Sequence, residues 1–492
     1  MRKKSIVFFC ISFLILSIVP VINVFSGNRD LNVKKLYSID FIIPYVSEVL
    51  YACGINMFSH QVVIGKNEWL FLGDNYSNTL TLARNGADAA YAENAAKKNI
   101  SLQAWETFFS EQGVGLFKIL VGPNKSSVYS EFLPGWAVRA EKNKIDILLE
   151  NNNNKYFIYP RDALLLAKEN YMDHSLYYKA DTHWNNLGAW IGFDYFIKSL
   201  KEKDLDVNYS QSISLEGDVV INGGDLAGFL RLLGKVKDKQ PHLAVLPRVE
   251  INTVCEKFYT HEYYECDSPE IISQPEPLLV VTAGAENTKK VLWLRDSFGT
   301  AVSPYMARLF SHVVQVHYDN ITKKSLIELV KDFKPDYVFM TIVERDIDRG
   351  LPAEYPQQHT YPGRFLAHND IVNKGKDFSI VGSDPYLVYK LDSVVQGHQN
   401  DFITMKLSCN SKEFEDEVID LQVFWRKNAD DIFMELNSSK FSVAQGNIEL
   451  RLGSVAKWAG ARDIEYLRLD IEPASIDKCI DFSLNNFAFN KI

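Results

Sequence analysis

The chain has no basic excess, no CxxC pair, no internal repeat and no long low-complexity stretch. These absences narrow the function. A formal net charge of -9 denies it the basic surface that phosphate neutralisation requires, so nucleic acid is excluded as a partner. Nothing with CxxC spacing suggests zinc. Without repeats or biased tracts, 492 residues read as two or three folded domains at ~150 residues each.

One segment differs from the rest. Arg2, Lys3 and Lys4 precede an apolar run from Ser5 to Phe25. Roughly 20 apolar residues cross a hydrocarbon core, and the basic residues before the run hold the N-terminus in the cytoplasm. The body therefore faces outward, into the periplasm. No Ala-x-Ala site follows, which favours an uncleaved inner-membrane anchor over a cleaved signal peptide, and the stretch from Ile22 to Gly27 leaves both open. Six cysteines fit export: Cys255 and Cys266 bracket a short loop, Cys409 and Cys479 lie near the C-terminus, Cys10 is in the span and Cys53 is left over. The first two pairs are candidate disulfides.

The remaining organisation follows from pattern. Residues 1–27 are the anchor or signal, 28–55 a linker, 56–375 an α/β domain and 376–492 a β-sandwich or jelly roll. In the middle, GLFKILVG (115–122), KKVLWLRDS (289–297), HVVQVHY (312–318) and PDYVFMTIV (335–343) read as buried strands, and SLIELVKDF (325–333) as a helix. FGTAVSPYMARLFSHV carries Val302, Met306, Leu309 and Phe310 at helical spacing. Strand and helix in alternation predict a mostly parallel sheet covered on both faces. After residue 376, six short strand-like runs, several with period-2 alternation, predict the sandwich, with a carbohydrate-binding module as one use and an Ig-like structural domain as another.

Two segments carry chemistry. In YYKADTHWNNLGAW (177–190), Asp181 and His183 stand two apart in a turn, and Asn185 or Asn186 caps a helix starting near Leu187. In that turn Asp181 can accept from one ring nitrogen of His183 and leave the other as a base. In LWLRDSFGTA (292–301), Ser297 falls where a buried strand meets a helix, the place where ligands bind in open α/β sheets. Helix amides there face a developing oxyanion. Taken singly, Asp-x-His is usually a structural hydrogen bond and Asp-Ser an N-cap. Together they make a nucleophile, a base and an orienting carboxylate. A metal site from Asp173, His174, Asp181 and His183 is the rival reading, and no metal is expected.

The blocks WLFLGDN (69–75), PNKSSVYSEFLP (123–134), YYKADTHWNNLGAW, GGDLAGFL (223–230), WLRDSFG (293–299) and PDYVFMTIVERDI (335–347) resemble, in that order, those of the AlgX/AlgJ family of SGNH-like alginate O-acetyltransferases. The resemblance covers about residues 60 to 350. It implies an SGNH-hydrolase-like three-layer α/β/α domain with circularly permuted catalytic blocks, because Asp181 and His183 precede Ser297. It also implies that Ser297 becomes acetylated, that His183 moves the proton and that Asp181 orients it. The turn that carries an Asn in ordinary SGNH enzymes reads VERD here, and Arg345 is the substitute oxyanion donor. Arg295, Lys125, Trp184 and Tyr178 are candidate substrate contacts, and Lys179 stands nearby with solubility as its alternative reading. The implied partners are a polysaccharide acceptor and a membrane O-acyltransferase as acetyl donor. No cofactor is expected. The anchor together with the β-domain matches neither the AlgX nor the AlgJ layout fully, which leaves the polymer open. Two other functions share the features: an SGNH-type carbohydrate acetylesterase, whose acyl-enzyme is resolved by water, and a non-catalytic membrane-tethered polysaccharide-binding protein.

Overall fold

The computed structural model describes residues 2–25, 33–86, 89–140, 142–151, 155–201, 206–248, 250–266, 276–353, 359–375, 377–398, 401–409 and 418–491. They divide into two compact units, residues 1–354 and 355–492.

The first unit begins with a helix, Arg2–Phe25, whose stretch Val7–Phe25 has a mean hydropathy of 2.6 and is long and apolar enough to cross a membrane. Of the stretch from Ile22 to Gly27, where the cleavage question falls, Ser26 and Gly27 lie outside the described residues. The stretch read as a linker contains two helices, Val33–Leu36 and Ile43–Ala52. A small antiparallel pair follows, β1 (Val62–Ile64) with β2 (Leu70–Leu72).

The main sheet is built from β3 (Leu116–Gly122) and β4 (Phe157–Ile158), then, after a separate hairpin of β5 (Ser212–Asn222) with β6 (Lys237–Leu246), from β7 (Asn252–Lys257), β8 (Tyr263–Tyr264), β9 (Leu278–Ala283), β10 (Asn287–Arg295), β11 (Phe310–His317) and β12 (Tyr337–Val343). Its order is β4-β3-β12-β10-β11-β9-β7-β8. From β4 to β11 the pairing is parallel, and β9, β7 and β8 extend it antiparallel. β12 is buried at every residue, as expected of a central parallel strand covered on both faces. Helices Arg161–Asn170, Asn186–Lys201 and Ser303–Leu309 pack into one core layer, and Ala89–Glu111, Lys144–Asn151 and Lys323–Phe333 into the other. The helix Lys323–Phe333 shows how the sequence specifies its place: Thr322 caps it by accepting from Ser325 N at 3.2 Å, and Leu326, Leu329, Val330 and Phe333 form its buried stripe. This is the SGNH-like three-layer α/β/α architecture.

One helix differs from expectation. The run after Ser297 is a 3-10 turn, Ser297–Val302, then a helix, Ser303–Leu309, and Phe310 opens β11. Pro304 starts the new helix, and Phe310 adopts φ -123°, ψ 132°, which places its ring in the core as a strand residue.

The second unit is a sandwich of two antiparallel sheets. Its strands are β13 (His359–Tyr361), β14 (Gly363–Asn369), β15 (Ile371–Asn373), β16 (Phe378–Ile380), β17 (Tyr386–Val395), β18 (Asp401–Cys409), β19 (Ile419–Arg426), β20 (Ser438–Val443), β21 (Gly446–Leu450), β22 (Ile464–Ile471) and β23 (Asp481–Lys491). One sheet runs β15-β16-β23-β18-β21 with β13 against β23, the other β14-β17-β22-β19-β20, and their inner faces share one apolar core. Three of its strands precede residue 376, where the sequence pattern changes. Disulfides join Cys255 to Cys266 and Cys409 to Cys479, while Cys10 and Cys53 are free and exposed.

Candidate active site

β3, β10, β11 and β12 are parallel, so their C-terminal ends share one edge of the sheet. Ser297 sits there, two residues past β10. Asp296 shapes the turn: its carboxylate accepts from Phe298 N at 2.9 Å and from Val343 N, at the end of the neighbouring strand, at 2.7 Å. Both donors are amides that the strand and turn leave open, and Asp296 is the N-cap. Burial raises its pKa, and those two bonds and Arg345 oppose the rise. Gly299 is required by crowding, since a Cβ there would lie 2.7 Å from the Arg295 side chain. The Phe298 ring fills the space that Gly122 leaves at the end of β3, where a Cβ would meet it at 2.6 Å.

His183 lies on a loop closed by a bridge between Tyr177 and Trp184. Its Nε2 is 2.7 Å from Ser297 Oγ, and its Nδ1 is 2.6 Å from Asp181 Oδ1. An ionised carboxylate only accepts, so Nδ1 carries the proton and Nε2 faces the hydroxyl as an acceptor. Asp181 Oδ1 also accepts from His183 N at 2.9 Å, which fixes the turn. Asn185 caps the following helix, Asn186–Lys201, by accepting from Leu187 N at 3.0 Å and Gly188 N at 3.1 Å.

Two residues support this loop, one not singled out in the sequence and the other read there as a substrate contact. Asp225 accepts from Thr182 N at 2.8 Å and Thr182 Oγ1 at 2.5 Å, while its own amide donates to Asp181 Oδ2 at 3.0 Å. That approach requires Gly224, whose Cβ would fall 1.7 Å from Asp181 Oδ2. The GGD of the GGDLAGFL block was the available signal. The second support is Lys125. It is buried, and its Nζ donates to the carbonyls of Tyr178, Lys179 and Asp181 at 3.0, 3.0 and 2.7 Å.

The electrostatics follow from this packing. Burial works against ionisation of Asp181, but the hydrogen bond and charge of His183 outweigh it and lower the carboxyl to about 2. Burial also disfavours the imidazolium, and Asp181 more than offsets it, so the His183 pKa is raised. Asp225 is raised by burial and by the Asp181 charge. Burial lowers Lys125 to about 7, against the pull of Asp181, Asp225 and Asp238.

The other expected contacts fall differently. Lys125 is a support of the loop and not a surface contact for an anionic sugar. Arg295 is buried, donating to Gln315 Oε1 at 2.7 Å, Thr300 Oγ1 at 3.2 Å and Asp296 O at 3.3 Å, so it too is internal. Trp184 is buried and pins the turn through Nε1 to Phe298 O at 2.9 Å. Tyr178 remains half-buried beside the loop. Arg345 stacks over the Phe298 ring at 5.7 Å and donates to Asn124 Oδ1 at 3.4 Å, which brings the ends of β12 and β3 to the serine. His174 turns to Asp218, 3.0 Å away, so the run Asp173, His174, Asp181 and His183 does not converge. Among the described residues the group with metal-like spacing is Asp181, His183 and Asp225, within 4.8 Å of one another, and the hydrogen bonds above account for its closeness.

Residues 62–260 match the family model described as an SGNH hydrolase-like domain, acetyltransferase AlgX, which bears out the resemblance read in the sequence. Similar solved structures include Bacillus cereus PatB1 with a sulfonyl adduct, at 15% identity and TM-score 0.44, covering 60% of this chain and 98% of that one. The O-acetyltransferase domain of Pseudomonas putida AlgJ has 16% identity and TM-score 0.37, covering 60% and 93%. Pseudomonas aeruginosa AlgX has 11% identity and TM-score 0.33, covering 89% and 96%. No curated protein matches the chain.

Proposed function

We propose that this chain is a periplasmic O-acetyltransferase that esterifies hydroxyls of an exopolysaccharide through an acetyl-serine intermediate on Ser297. The observation that carries the reading is the continuous chain Ser297–His183–Asp181, with contacts of 2.7 and 2.6 Å at the C-terminal edge of a parallel sheet. The AlgX family match supports the acetyl group and the polysaccharide acceptor.

Ser297 Oγ attacks the acetyl carbonyl of the donor while its proton passes to His183 Nε2. The charge that develops on the carbonyl oxygen is met by the Ser297 amide, at the start of its 3-10 turn, with Arg345 as the second donor. The leaving group departs with the proton from His183. The acceptor hydroxyl then attacks acetyl-Ser297, giving its proton to Nε2, and collapse forms the sugar ester and returns the proton to Oγ. Asp181 holds the tautomer and stabilises the imidazolium in both halves. Tyr178, half-buried beside the loop, is left to contact the acceptor. The apolar helix Arg2–Phe25 keeps the body at the inner membrane, where a membrane O-acyltransferase supplies the donor.

Ser297 is partly open to solvent, so water competes for the acyl-enzyme. The test follows from that. Full-length protein is given an activated acetyl ester and a panel of polysaccharides, with Ser297→Ala beside it, and polymer-bound acetyl and free acetate are measured by mass spectrometry. Serine-dependent acetyl on a polymer is expected. Serine-dependent acetate with no modified polymer would make the protein an esterase. Equal behaviour of both proteins, each folded, would leave a binding protein.

A further inference from the structure

The helix Ile43–Ala52 has the sequence IPYVSEVLYA, with Glu48 as its one charged residue, and that carboxylate is paired with Lys235 at 2.9 Å. Its inner face carries Ser47, Leu50 and Tyr51, which meet Leu230 and Leu232 around a small cavity. Its outer face carries Ile42, Tyr45, Val46 and Val49, at i, i+3, i+4 and i+7, and these are between 40% and 63% exposed. The outward stripe of a helix in water is polar. Here it is apolar, and Tyr37 and Ile39 continue it towards the N-terminus at 52% and 57% exposure. Contiguous apolar surface of this kind marks a contact.

What it contacts is indicated by a second observation. Asn23, in the last turns of the apolar helix Val7–Phe25, donates through Nδ2 to the carbonyls of Leu36 and Ser38 at 2.7 and 2.8 Å. The chain therefore returns to the end of that helix just before Ile43–Ala52 begins. A stripe that carries two tyrosines, Tyr37 and Tyr45, and is tied to the end of a span-length helix sits at the depth where a bilayer changes from hydrocarbon to headgroup, and where Tyr is favoured.

We infer that the outer face of helix Ile43–Ala52 lies in the interfacial layer of a lipid bilayer and docks the α/β unit on the membrane surface. The occupant is lipid, not a second copy of this chain and not another protein. Leu230 and Leu232 follow directly on the helix Asp225–Phe229, which opens with the carboxylate that supports the Asp181 loop. The docked helix, through its inner face, is thus one short helix away from the proposed active site. The docking itself does not depend on that site's chemistry.

The test uses the full-length chain in phosphatidylcholine vesicles. Cys10 and Cys53 are replaced by serine, and an environment-sensitive fluorophore is placed at Val49→Cys or, for comparison, at Lys324→Cys on the far helix Lys323–Phe333. Brominated lipid should quench the label at 49 and aqueous iodide should not, while the label at 324 should show the reverse. A label at 49 as open to iodide as that at 324, and untouched by brominated lipid, would overturn the inference. Protection from both quenchers would also overturn it, because protein and not lipid would then cover the face. A third variant adds Val46→Glu to a label at Tyr45→Cys. Since position 46 is exposed, folding should be unchanged by circular dichroism, and the lipid quenching should fall several-fold. Unchanged quenching there would contradict burial of the stripe in lipid.

Discussion

Lys125 places its amine where its three hydrogen-bond partners are carbonyl oxygens and, among the described residues, no carboxylate pairs with it. Replacing it with methionine keeps the stem and leaves three acceptors unmet. At ~1–3 kcal/mol for an unsatisfied buried group, offset in part by removing a buried charge, Lys125→Met should cost about 2–5 kcal/mol in denaturant unfolding. Activity should fall with it, because the loop that loses support carries Asp181. His183 gives the pH prediction. It acts as a base only when neutral, and its pKa is raised, so kcat/KM should decline on acidification at a pH above the ~6.5 of an ordinary histidine. Asp181 causes the rise through its hydrogen bond and charge. Asp181→Asn should therefore move that limb to lower pH while lowering kcat by about 10⁴. A limb that stays in place in the variant would count against the assignment. Sequence showed Asp181, His183 and Ser297 because their spacing is chemical. It gave Lys125 and Arg295 as surface contacts because burial of a cation depends on the fold around it, which no local pattern records.

At the scale of elements, the loop 177–184, the turn 223–225 and the strand ends at Gly122, Arg295 and Val343 form one unit. Gly224 is its narrowest point. Gly224→Ala should displace Asp181 or the turn, since the added carbon would fall 1.7 Å from Oδ2. The expected result is a large loss of kcat with a much smaller change in melting temperature than a core truncation gives, read by activity and calorimetry on the same sample. The buried strands and the helix Lys323–Phe333 were legible because their apolar patterns are strong. Phe310 was misread because Leu309 and Phe310 are both apolar and the helix-to-strand change falls between them. β5, β6 and β7 escaped notice because they mix apolar with polar residues and only Asp238, Pro241 and Cys255 in them are buried, so they lack the compact apolar runs of the core strands. The antiparallel extension β9, β7 and β8 was missed with them.

For the whole molecule, the presence of a β-sandwich after the α/β unit was readable from the change of period, but the units divide at 354/355, ahead of the expected 376, because the sandwich's first three strands lie before the pattern changes; the cysteines paired as their positions suggested. The two disulfides close loops of 11 and 70 residues. Loop entropy alone assigns them roughly 3 and 4 kcal/mol. Cys479→Ser should therefore lower the urea midpoint of the sandwich more than Cys266→Ser lowers that of the α/β unit, when each unit's transition is followed by its own tryptophans. The central claim concerns a covalent step, and the most direct measurement is the intact mass of the full-length protein after brief exposure to an activated acetyl ester without acceptor, followed by peptide mapping. The account predicts one acetyl group on Ser297, absent from Ser297→Ala and discharged when the acceptor polysaccharide is added. No adduct under conditions where turnover is observed, or an adduct on another residue that turns over at the same rate, would contradict it.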